Sequence, residues 1–140
     1  MKKKPGYLLI AAVFLLLAAG ALFAAVHTHN LRRKAQEILT LADENARTHW
    51  LGLHGWHAGE PAVSETVVPT EWVTDAGQHW LAIQHSLALT PENFAGEPAV
   101  RYTYPLAQEN LRAELLLCGD VLIGAQVYDL SDGSIRSVCA

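Results

Sequence analysis

The chain has 140 residues, 51% of them hydrophobic, with 10 Lys and Arg against 14 Asp and Glu and a formal net charge of −4. That mixture excludes an intrinsically disordered chain, which has too little apolar surface to bury. Outside the basic stretches at residues 2–4 and 32–34 only Arg47, Arg101, Arg112 and Arg136 remain, in no stripe, so no nucleic-acid partner is expected.

In chain order the first element is Tyr7–Val26, an apolar run without charge, fenced by Lys2, Lys3 and Lys4 before it and by Arg32, Arg33 and Lys34 after it. As a helix it would span roughly 30 Å, the thickness of a bilayer hydrocarbon core, and a transmembrane helix is expected there. Ala19-Gly20-Ala21 would serve a signal peptidase. Lys2-Lys3-Lys4-Pro5-Gly6 before Tyr7 resembles a type IV prepilin leader, although Ala11 stands where pilins usually carry Glu. The run continues past Ala21 to Val26, and that length favours an uncleaved anchor over both kinds of processing. The positive-inside rule puts the lysines in the cytoplasm. Residues 1–30 are then a cytoplasmic basic tip with a transmembrane anchor, and residues 31–140 a periplasmic α+β domain of a single-pass protein of the bacterial inner membrane. The even pair Cys118 and Cys139 fits one disulfide in an oxidising compartment, the alternative being two unpaired thiols.

From Leu31 to Trp50, apolar residues recur at helical spacing through Ala35, Ile38, Leu39, Ala42 and Ala46, which predicts an amphipathic helix. It either continues from the anchor, since His27–Asn30 holds no proline or glycine, or starts afresh at Asn30. The glycines of Leu51–Gly59 turn the chain away, and Gly59–Thr70, with Pro61 and Pro69, reads as an irregular connector. Val67–Val73 reads as extended, His79–Gln84 as a strand and Ser86–Thr90 as its partner. Val100, Tyr102 and Tyr104 alternate with Arg101 and Thr103 as a half-buried strand that ends at Pro105. Leu106, Leu111, Leu115 and Leu116 suggest a short helix closed by Gly119. Val121–Tyr128 follows as a strand, Asp129–Gly133 as a turn, and Ser134–Cys139 as an antiparallel partner. The fold class is α+β: an N-terminal transmembrane helix continuing into or followed by an amphipathic helix, then a small antiparallel sheet with one additional short helix.

The seven histidines make neither an H-E-x-x-H helix face nor, with the two cysteines, a C-x-x-C clamp, so His49, His54 and His57 are read as surface and no metal site is assigned. No G-x-S-x-G elbow surrounds a serine, no phosphate loop occurs, and Glu60, Glu65 and Glu71 read as solvated carboxylates. A non-enzyme with no catalytic residue, cofactor or small-molecule substrate is expected. Trp50, Trp56, Trp72 and Trp80 crowd one stretch, as a core cluster, as a partner-binding surface, or as each of these for different rings.

The ordered parts resemble a known family. After the N-terminal apolar segment and amphipathic helix come Val67–Trp72 (V-V-P-T-E-W), Val100–Leu106 (V-R-Y-T-Y-P-L), the leucine stretch, and V-L-I-G-A-Q-V followed by D-G-S-I-R-S. This order resembles the PilM family, small proteins of type IVB or thin conjugative pilus systems, and the layout is also similar to minor pilins. Gln78–Gly96 and the Cys118/Cys139 pair have no counterpart in that pattern. The resemblance implies a non-catalytic component of pilus biogenesis or assembly, with the lipid bilayer and other pilus or envelope-assembly proteins as partners. The alternatives are a minor-pilin-like subunit and a secreted periplasmic binding domain cut near Ala21.

Overall fold

The computed structural model describes the backbone of residues 6–38 and 40–139 and the side chains of 11–27 and 40–139. Lys2, Lys3, Lys4, Pro5 and Leu39, and the side chains of Tyr7 and of residues 28–38, lie outside the described residues. The chain divides into two compact units, 1–38 and 39–140.

The first unit is a single helix, α1 (Gly6–Ile38, 33 residues). It passes through His27–Asn30 without a break, so Asn30 does not cap a new start. The side chains of 11–27 are exposed, Leu16 at 73% and Phe23 at 75%. The expected transmembrane span is corrected here: among the described residues no helix is long and apolar enough to cross a membrane. The single-pass inner-membrane placement is corrected on the same finding.

The second unit opens with a further correction. The expected continuous helix Leu31–Trp50 is two helices, because Thr40 leaves α1 to bridge Val121 and α2 (Glu44–Leu53) starts anew. Asp43 caps α2, its carboxylate accepting from the Ala46 N–H at 2.8 Å. Apolar periodicity runs across such a cap without registering it.

Five strands follow: β1 (Ala62–Val67), β2 (Pro98–Pro105), β3 (Leu111–Cys118), β4 (Val121–Asp129) and β5 (Ile135–Arg136). They form one antiparallel sheet in the order β1-β2-β3-β4-β5, with α3 (Asp75–Ser86) and a short 3₁₀ turn, Pro91–Phe94, between β1 and β2. Four expectations give way. The connector Gly59–Thr70 holds β1, whose β-branched residues lie between the two prolines that suggested a loop. His79–Gln84 is not a strand but part of α3, started by Thr74, whose hydroxyl accepts from the Gly77 N–H at 3.0 Å. Ser86–Thr90 is accordingly a helix end and a turn, with Ala88 at φ +58°. The leucine stretch is strand β3, not a helix. Leu111, Ala113, Leu115 and Leu117 enter one core and Leu116 and Cys118 the other, so the alternation of a half-buried strand is erased. Gly119, at φ +57°, makes the two-residue turn into β4.

The sheet is covered on both faces. On the first, Leu41 and Leu51 pack with Tyr104, Leu115, Val127 and Val138. Arg47 clasps α2 to β2 there: its Nε donates to Tyr104 Oη at 2.9 Å, its Nη2 to Glu44 Oε2 at 2.9 Å, and its guanidinium lies 3.9 Å over the Tyr102 ring. Burial, opposed by the Arg47 cation, pushes the Tyr104 phenol up to about 12. On the second face Val68, Ala99, Leu116 and Ile123 form a smaller core under Trp72 and Trp80. Leu116 pairs with Gly124 and Leu117 with Leu122, so Ile123 is a bulge residue and joins Gly124 on this face.

Candidate functional site

The second face carries a groove of about 420 Å³ between α3 and the sheet, lined by Trp72, Trp80, Arg101, Glu114, Leu116 and Gln126. Its size and its mixture of apolar wall and few polar groups suit a binding site. Trp72 arrives on the loop after β1, and Trp80 on α3, and their rings lie parallel, 3° apart in plane with centroids 6.4 Å apart. Trp80 reaches the sheet because residue 124 is glycine: a Cβ there would stand 3.0 Å from Trp80 Cζ2.

A hydrogen-bond relay holds the aromatic wall. Trp80 Nε1 donates to Gln126 Oε1, and Gln126 Nε2 donates to Glu114 Oε2 at 2.8 Å. Gln84, fully buried, donates to the same Gln126 oxygen at 3.4 Å and accepts the Ala125 N–H at 2.7 Å. Gln78 Nε2 donates to the Trp72 carbonyl and ties the second ring to α3. Rings held this way lose little rotamer freedom when a ligand arrives, which is how a preorganised site saves binding energy. The Arg101 guanidinium at the groove makes no hydrogen bond or ion pair among the described residues. It and the second carboxylate oxygen of Glu114 are a donor set and an acceptor beside an aromatic wall.

The four tryptophans are thus neither one cluster nor one surface. Trp50 and Trp56 pack on the opposite face, where Trp50 lies 4.3 Å from the His54 ring and Trp56 Nε1 donates to the Val138 carbonyl at 2.8 Å. Only Trp72 and Trp80 belong to the groove. The expected Cys118–Cys139 disulfide is not formed, and both thiols are free. Cys118 packs against the groove-face core, while Cys139 is exposed beside Val138, which is buried in the other core. Burial, and then Glu97, push the Cys118 thiol up, which disfavours the reactive thiolate. Among the described residues no three His, Cys, Asp or Glu side chains come together to hold a metal ion. The groove's polar members went unnoticed in the sequence. Their signal was a lone Glu114 in L-R-A-E-L-L-L and a lone Gln126 in V-L-I-G-A-Q-V, polar residues inside apolar strands.

No family model, curated protein or solved structure matches the chain.

Proposed function

We propose that this chain is a non-catalytic assembly component of a type IV-like pilus system, and that unit 39–140 contributes by binding a partner protein in the Trp72/Trp80 groove. The observation that carries the binding role is the preorganised aromatic wall beside an unengaged Arg101. The pilus setting rests on the ordered resemblance to the PilM family. Site-specific photo-cross-linking from position 72 in the native host tests both parts. A pilus or secretion component captured from position 72, and lost in Trp80→Ala, is the expected result; its absence would sink the proposal.

A second reading is a pilin-like subunit, favoured by the exposed apolar side chains of α1. Mass spectrometry of the mature N-terminus separates the two. A start at Tyr7 supports the subunit, and a start at Leu22 supports a secreted binding domain.

A further inference from the structure

The two edges of the sheet are treated differently. Along β4 the chain covers its own edge: β5 pairs with Val127 and Tyr128, Gln84 takes the Ala125 N–H, and Thr40 bridges Val121. Along β1 nothing comparable happens among the described residues. The strand pairs with β2 in an unbroken register from Ala62↔Thr103 to Val67↔Pro98, and all its side chains but the half-buried Thr66 are exposed. It lacks the bulge, internal proline or lysine by which edges are usually blunted.

The hydrogen-bond phase shows which groups are free. Val68 donates to the Glu97 carbonyl and accepts from the Gly96 N–H, so it turns its backbone toward the β2 side. With a period of two, Ala62, Ser64 and Thr66 do the same, and Pro98, which has no N–H, stands opposite Val67. Val63, Glu65 and Val67 therefore point their N–H and C=O groups away from the sheet. Their side chains share one face, a carboxylate between two valines that are 59% and 60% exposed.

The charge selects the occupant. A second copy pairing antiparallel over this whole edge must match outward residues with outward residues, Val63 with Val67 and Glu65 with Glu65. Like charges directly opposite each other are destabilising, so the edge is set against self-pairing. We propose that β1 is a docking edge for an extended segment of a different protein, added as a further strand, with a Lys or Arg opposite Glu65 and apolar residues opposite Val63 and Val67. Its intervening side chains lie on the face of Ser64 and Thr66, toward the groove. That last contribution rests on the binding role proposed above, whereas the edge pairing does not.

The test uses the full isotope-labelled chain and two blocked peptides, Thr-Val-Thr-Lys-Thr-Val-Thr and its counterpart with Glu for Lys. The lysine peptide is expected to bind about five-fold more tightly, and Glu65→Lys to invert that preference. Amide exchange should slow at Val63, Glu65 and Val67 on binding. Failure of both peptides to bind, binding without that protection, or an unchanged preference in Glu65→Lys would each overturn the proposal. Concentration-dependent protection of the same amides without peptide would overturn it in favour of a second copy. Trp80→Ala keeps the two proposals apart: peptide protection at β1 that persists in that variant supports the edge independently of the groove, whereas a host cross-link from position 72 with no peptide binding at β1 leaves the groove and removes the edge.

Discussion

Gly124 and Tyr104 are the single residues on which most depends, one on each face of the sheet. A methyl group at position 124 would meet Trp80 Cζ2 at 3.0 Å and Leu116 Cβ at 3.4 Å. Gly124→Ala should therefore lift Trp80 from Gln126 and cost about 1–3 kcal/mol, seen as altered tryptophan fluorescence and a lower denaturation midpoint. Tyr104 is fully buried between Arg47 and Glu44, with its phenol raised to about 12 from an ordinary 10.0. A raised native value means that the folded state holds the proton more tightly. The associated stability is present below about pH 10 and is lost as pH rises toward 12, a loss of about 3 kcal/mol at most. Tyr104→Phe should remove that alkaline loss while lowering neutral stability by about 2 kcal/mol, because Arg47 and Glu44 lose a buried partner. Denaturant unfolding across the alkaline range, followed alongside tyrosinate absorbance, measures both.

Among the elements, the helices show how local signals compete. Asp43 and Thr74 start α2 and α3 by side-chain acceptance of the Ala46 and Gly77 N–H groups. Each cap replaced by alanine should cost about 1 kcal/mol, read by chemical denaturation with circular dichroism. The expected strands held where polar residues alternate or a clear turn closes the stretch: Val100–Pro105 carries the exposed Arg101 between its tyrosine-face residues, and Val121–Tyr128 runs into the turn at Asp129–Gly133. Expectations failed where both faces were covered, as at Leu111–Cys118, or where a short apolar run suits helix and strand alike, as at His79–Gln84. β1 was hidden by its proline neighbours and by being an exposed edge, whose residues need no apolar side.

At the scale of the whole molecule, every buried core residue among those described falls between Leu41 and Val138, so unit 39–140 closes its own core. A chain lacking residues 1–38 should unfold in one cooperative thermal transition. Its melting temperature should not move with reductant, because both thiols are free, whereas a bridge would have contributed roughly 3 kcal/mol. A drop of several degrees on reduction would show that Cys118 and Cys139 do pair.

By itself the sequence determined the elements that local chemistry specifies: the strands Val100–Pro105 and Val121–Tyr128, the turn at Asp129–Gly133, and the α+β class. It also marked Trp72 and Trp80 as residues to watch. Only the tertiary structure separated those two from Trp50 and Trp56, set Gln126 and Glu114 behind them, and left β1 with an open edge. The reason is physical. Propensity and capping act over a few neighbouring residues, whereas a site joins side chains such as Trp80 and Gln126, 46 positions apart, that meet only once the strands have paired.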